Sequence, residues 1–126
     1  MNHTRELIVI VEDDAGMGRA LQRLLRVSGF DILLFGSAEA YSHANCMRVP
    51  YCLVLDVQLP GISGPRFYEQ LGYRRPPAVF ITSHDNPETR SAVACAGGQE
   101  LLIKPFVAKD LLDAISRVAP GGGPAP

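Results

Sequence analysis

The sequence predicts an α/β fold, a single doubly wound parallel sheet of five strands with five helices packed on its two faces. Three observations carry that prediction. Five short runs rich in aliphatic and β-branched residues alternate with stretches of helical length, as βαβ crossovers require. The runs are apolar almost throughout and do not alternate, so the strands are expected to be buried on both faces. Four of the five end in groups capable of chemistry, Glu12-Asp13, Asp56, Thr82 and Lys104, and in an open sheet ligands bind beyond the carboxyl ends of the strands.

Leu7-Ile8-Val9-Ile10-Val11 is the first strand, halted by Glu12-Asp13-Asp14. Met17, Ala20, Leu21, Leu24, Leu25 and Ser28 then follow the spacing of one inward-facing helical stripe, which Asp14 can cap and Gly29 can stop. Asp31 to Phe35 is the second strand, and Ser37 caps a short helix running to about Asn45, with Ala38 and Tyr41 facing inward. The third strand, Tyr51 to Asp56, leads into the turn Val57-Gln58-Leu59-Pro60-Gly61. Gly64-Pro65 then opens a third helix over Arg66 to Leu71, its proline in the first turn where a missing N–H is tolerated. Pro76-Pro77 introduces the fourth strand, Ala78 to Thr82.

Pro87 and Glu88 start a fourth helix that runs to Ala96 and ends at Gly97-Gly98. It is rich in alanine, with Val93 as its one large aliphatic residue, so it buries little area and is expected to be the least firmly held. Glu100 to Ile103 is the fifth strand, followed by Lys104-Pro105 and a final amphipathic stripe of Ala108, Leu111, Leu112, Ile115 and Val118. Residues 120–126, made of Pro, Gly and Ala, cannot build a core and are expected to form a flexible tail or the start of a linker.

One domain is expected over residues 1–119, large enough to hide roughly two-thirds of its unfolded surface. A formal net charge of -1, with no Lys/Arg cluster beyond Arg74-Arg75, gives no electrostatic basis for binding nucleic acid, which is not an expected partner of this domain. Cys46, Cys52 and Cys95 are odd in number and lack C-x-x-C spacing, so they read as reduced, partly buried fillers of a protein in a reducing compartment. The N-terminal residues lack a signal-peptide apolar core, and no apolar run approaches the ~18 residues of a membrane span. A cytoplasmic protein without a membrane partner is the expectation. His3, His43 and His84 show no metal-ligand spacing and are expected at the surface.

Carboxylates from two strand ends repel one another at a shared edge unless a cation sits among them. Oxygen donors of this kind suit Mg²⁺, which takes one or two carboxylates together with phosphate oxygens. A lysine, a hydroxyl and a magnesium ion around one carboxylate form a set that stabilises a phosphoryl group in transfer, with the carboxylate as nucleophile. The chemistry implied is an aspartyl phosphate at Asp56. Taken singly, each group has a plainer role: Asp14 as a helix cap, Thr82 as a satisfied hydroxyl, Lys104 as a surface lysine with a buried stem. The shared edge is what favours the functional reading.

Over about residues 6 to 119, the pattern Val11-Glu12-Asp13-Asp14, Leu55-Asp56-Val57-Gln58-Leu59-Pro60-Gly61, Ile81-Thr82-Ser83 and Lys104-Pro105-Phe106 resembles the receiver domain of two-component response regulators. The resemblance implies a flavodoxin-like sheet of order 2-1-3-4-5. It implies Asp56 as the acceptor of a phosphoryl group from a sensor histidine kinase, with Mg²⁺ held by Asp13, by Glu12 directly or through water, by Asp56 and by the backbone carbonyl of Gln58. Thr82 is similar to the hydroxyl that moves to the phosphoryl oxygen, Lys104 to the cation that pairs with it, and the Lys104-Pro105 bond is expected to be cis. Leu101 departs from the pattern, because family members often carry an aromatic there whose rotamer follows the state of the site. Gln58 and His84 occupy the positions where the family tunes water access to the phosphoryl group; His84 has a contact with the anion as its alternative role.

A switch of this kind would change the surface of the fourth helix, fifth strand and fifth helix, and with it affinity for a second copy, an output domain or another protein. The Thr82-Ser83-His84 and Lys104-Pro105-Phe106 stretches are most similar to receivers joined to helix-turn-helix transcription domains. The expected domain is not an enzyme, although it assists its own phosphorylation and dephosphorylation. Two alternatives differ in class. A phosphohydrolase of the haloacid-dehalogenase type needs a second acid two residues after its nucleophile, where Gln58 stands. A scaffold that is never phosphorylated would keep the fold alone.

Overall fold

A computed structural model describes residues 5–119. Strands and helices alternate strictly: β1 (Leu7–Val11), α1 (Ala15–Val27), β2 (Asp31–Phe35), α2 (Ala38–His43), β3 (Cys52–Asp56), α3 (Gly64–Gln70), β4 (Ala78–Thr82), α4 (Pro87–Cys95), β5 (Glu100–Ile103) and α5 (Ala108–Val118). Every strand pairing is parallel and the order is β2-β1-β3-β4-β5, as expected. The chain leaves β1 toward one edge of the sheet and returns past it to build β3. The crevice of an open sheet lies where that reversal occurs. The tail expected over residues 120–126, and His3, lie outside the described residues.

The parity of each strand divides the core between two layers. Leu7, Val9, Val11, Leu53, Leu55, Ala78 and Phe80 point to one face, where Ala38, Phe67, Tyr68 and Val93 of α2, α3 and α4 cover them. Ile8, Ile10, Val54, Val79 and Ile81 point to the other, under Leu21 and Leu25 of α1 and Leu111, Ala114 and Ile115 of α5. A strand buried this way needs apolar residues at every position, which is why the runs did not alternate. The fourth helix buries only Thr89 and Val93 of its nine residues, in keeping with its thin stripe.

The helix ends follow local chemistry. Asp14, Ser37, Ser63 and Asn86 each accept a backbone N–H of the first turn, so Asp14 is the cap that the sequence suggested. At the end of α1, Phe30 donates to the Leu25 carbonyl (3.1 Å) and Gly29 to that of Arg26 (3.0 Å), a Schellman closure with Gly29 in the left-handed region (φ 105°). The Lys104-Pro105 bond is cis.

Several details differ from the sequence reading. Helix α3 starts at Gly64, because Ser63 caps it, and α2 stops at His43. Strand β3 starts at Cys52. Ala20 and Ala108 face solvent, as does Ser28, whose hydroxyl bonds back to the Leu24 carbonyl at 3.0 Å. The buried position on α1 beside Leu21 and Leu25 belongs to Gly18, and on α5 to Ala114. Small residues carry too little hydropathy to mark a face from the sequence. Cys95 is exposed on α4 where a partly buried filler was expected, whereas Cys46 is half-buried and Cys52 fully buried.

Gly64 lies directly against the end of β3, its N–H donating to the Val57 carbonyl (3.1 Å). A Cβ there would collide with the backbone carbonyl oxygen of Asp56. Gly64→Ala is expected to lower stability by about 1–3 kcal/mol in urea unfolding. A Cβ at Gly36 meets nothing within 4 Å, so Gly36→Ala should stay within about 0.5 kcal/mol.

Burial pushes the Cys52 thiol from an ordinary 9.0 up to about 12. Alkylation at mildly alkaline pH, followed by peptide mass mapping, should therefore modify Cys95 rapidly and Cys52 only after unfolding. With the folded value raised, the neutral thiol favours the fold below about pH 9. That contribution is lost as pH climbs toward 12.

Candidate functional site

Strand register brings the predicted groups to one edge. Val11 lies beside Leu55, Asp56 beside Ile81 and Thr82 beside Ile103, so β1, β3 and β4 end in a stagger of one residue per strand along the same edge, and β4 and β5 end together. Backbone bonds carry the ladder one residue further: Glu12 donates to the Phe35 carbonyl (2.9 Å), Val57 to that of Ile81 (2.9 Å) and Lys104 to that of Thr82 (2.7 Å). The functional side chains therefore project from the fixed frame of the sheet.

Two of the carboxylates are buried, Glu12 at 3% and Asp56 at 4% exposure, while the neighbouring Asp13 is exposed. Lys104 reaches between the buried pair, its Nζ 2.8 Å from Glu12 Oε1 and 3.1 Å from Asp56 Oδ2. The other oxygens accept backbone donors, Glu12 Oε2 from Asp14 N–H (3.1 Å) and Asp56 Oδ1 from Gln58 N–H (3.0 Å). Burial and the adjacent Asp56 raise the Glu12 pKa above the usual carboxylate value, against the opposing pull of Lys104. Burial drags Lys104 down, but its hydrogen bonds to Glu12 and Asp56 outweigh that and hold its pKa above the ordinary lysine value. Lys104 thus offsets part of the repulsion between the two buried carboxylates.

Thr82 is fully buried at the end of β4. Its hydroxyl donates to Gln58 Oε1 at 2.7 Å and accepts the His84 N–H at 3.0 Å. The His84 ring itself is exposed, as is that of His43. Leu101 is half-buried on β5 and packs against the core on the α2–α3–α4 side.

Glu12, Asp13, Asp56, Thr82 and Lys104 thus meet where the sequence put them, and Gln58 joins them. Two features escaped the sequence reading. One is the bond of the Gln58 side chain to Thr82: the sequence placed Gln58 where the family tunes water access and gave its carbonyl to the metal, but nothing in it pairs the amide oxygen with the Thr82 hydroxyl. The other is Glu39 on α2, whose Oε2 accepts the Ile62 N–H (3.2 Å) and so ties down the loop that follows Gln58. The spacing of Glu39 from that loop carries no sequence signal, because only the packing of α2 beside α3 brings them together.

Glu12, Asp13 and Asp56 each offer a carboxylate oxygen, all within 4.8 Å of one another. Three hard anionic oxygens converge here with a single ammonium among them, an excess of negative charge that a small divalent cation would relieve. The donor set fits Mg²⁺.

Three comparisons agree with this arrangement. The family model for the response regulator receiver domain matches residues 8–116. Nodulation protein W of Bradyrhizobium diazoefficiens is 40% identical over 115 residues, covering 89% of this chain and 50% of its own length. Response regulator protein TmoT of Ectopseudomonas mendocina is 37% identical over 119 residues, covering 91% of this chain and 53% of its own. The chain therefore spans about half the length of these relatives. Among solved structures, a CheY-like receiver domain protein from Methanospirillum hungatei superposes with a TM-score of 0.82 at 21% identity, over 90% of this chain and 92% of its own, a likeness of fold. With family match, topology and site in agreement, the chain belongs to the response regulator receiver domains of two-component systems.

Proposed function

We propose that Asp56 accepts a phosphoryl group from the phosphohistidine of a sensor kinase and that the resulting charge switches a protein-interaction surface. The observation that carries this reading is the buried Asp56 carboxylate, paired with Lys104 beside Glu12, Asp13 and Thr82 at the carboxyl edge of the sheet. A carboxylate oxygen of Asp56 attacks phosphorus, the donor P–N bond breaks and its electron pair returns to the imidazole. Lys104, already at hydrogen-bond distance, follows the negative charge from the carboxylate to the phosphoryl oxygens. Thr82 supplies a hydroxyl proton to the same group.

Asp13, Glu12, Asp56 and the Gln58 carbonyl would hold Mg²⁺, which when bound neutralises the charge that gathers on the phosphoryl oxygens. Asp13, the exposed carboxylate of the set, would be a direct ligand, and Glu12 would act directly or through water. Phosphorylation replaces the single negative charge of the carboxylate with a phosphoryl group carrying about -1.5 to -2 at the edge. Thr82 is drawn inward, and the sparsely packed α4 shifts together with β5. The α4–β5–α5 face then engages a second copy, an output domain or a target protein. The relatives' greater length supports an output domain, and we extend the reading to transcription control through a DNA-binding partner domain in the cytoplasm. No substrate is turned over: Gln58 holds the place of a hydrolase's acid, and an amide cannot transfer that proton.

Incubation with acetyl phosphate and magnesium should add one phosphoryl group, seen as a mass increase that alkaline hydroxylamine removes. Asp56→Ala should lose the adduct, and full labelling of that variant would refute the site. Magnesium at a hundredfold excess over its Kd should stabilise the protein by about 2.7 kcal/mol, read as a rise in Tm. Asp13→Ala should abolish that rise.

A further inference from the structure

We propose that Gln58 is a competing acceptor that holds the Thr82 hydroxyl away from the phosphorylation site and so sets the threshold at which the domain switches. A threonine hydroxyl carries one proton. In this structure that proton goes to Gln58 Oε1 at 2.7 Å, while the oxygen's acceptor side takes the His84 N–H. Thr82 is fully buried, and the other acceptor within its reach, the His84 carbonyl, lies at 3.5 Å, a much longer contact than the bond to Gln58. A phosphoryl oxygen on Asp56 can receive the proton only when Gln58 gives it up.

Gln58 is suited to the task by where it is anchored. Its backbone N–H donates to Asp56 Oδ1 at 3.0 Å, so one residue touches both the acceptor carboxylate and the hydroxyl that responds to it. Its side chain lies on the exposed side of the site, where a released amide can bond to water. The trade is a neutral hydrogen bond for a charge-assisted one, which a phosphoryl group wins. The latch therefore lowers the apparent affinity for the phosphoryl state without blocking it, as any tie that must open before binding does. Gln58 acts here as a positioning residue for Thr82. This role is separate from control of water reaching the phosphoryl group, because it operates before any hydrolysis.

The inference rests on Asp56 being the phosphoacceptor, and the test separates the two ideas. Beryllofluoride with magnesium mimics the phosphoryl group without being hydrolysed, so its binding, followed through backbone amide NMR shifts, is free of any effect of water access. Gln58→Met keeps the chain length and removes the amide acceptor, and it should bind beryllofluoride about two- to tenfold more tightly than the wild type. In a Thr82→Val background the same substitution should change nothing, since the proton in dispute is gone. Without any ligand, the Thr82 side chain should hold a single χ1 rotamer in the wild type and average between rotamers in Gln58→Met. Unchanged or weaker binding by Gln58→Met, or an equal gain in the Thr82→Val background, would overturn the latch while leaving the phosphoacceptor reading intact. Failure of the wild type to bind beryllofluoride would overturn both.

Discussion

The Lys104 ammonium, shared between two buried carboxylates, is the interaction on which the rest of the site depends. Glu12 and Asp56 are carried to neighbouring positions by a register that the core enforces. Two such charges side by side in a dry environment are unfavourable without a counterion. Lys104 supplies it from the end of β5, across β4, and so links the edge strand to the centre of the sheet. Removing the ammonium would leave two buried carboxylates unpaired, whereas moving it would transmit any change at Asp56 directly to β5.

On the central strands the two core layers are complete, with Leu, Ile, Val and Phe side chains packed on both faces. Toward the β5 edge the packing thins: every residue of β5 is only half-buried, and α4 contributes two buried side chains. The β2 edge is thin as well, with Ile32 alone fully buried on that strand, so the sheet is packed most tightly at its centre. With a leucine at position 101, β5 carries no large ring at that point of the edge. Gln58 and Glu39 both tether the segment that leaves β3, one bonded to Thr82 and the other to the loop after Gln58.

Much of this was legible in the sequence because it depends on short-range chemistry. Continuous apolar runs mark doubly buried strands, Asp14 and Ser37 mark helix starts, and Gly29 and Gly97 mark ends. The site residues were legible for a related reason: a parallel sheet delivers every strand's C-terminus to the same edge, so acids, a hydroxyl and a lysine placed there must meet. Glycine and alanine were where the reading failed. Gly18 and Ala114 are buried while Ala20 and Ala108 are not, and their hydropathy does not distinguish the cases.

By itself, then, the sequence determined the fold class, the order of elements and which residues end the strands, since these follow from periodicity, caps and the geometry of βαβ units. Only the tertiary structure decided how those residues are wired: that Lys104 spans both Glu12 and Asp56, that Glu39 secures a loop 23 residues away, and that the Thr82 proton is given to Gln58. Hydrogen bonds form over a few tenths of an ångström, and that precision comes from the packing of helices on a twisted sheet. No spacing along the chain encodes it.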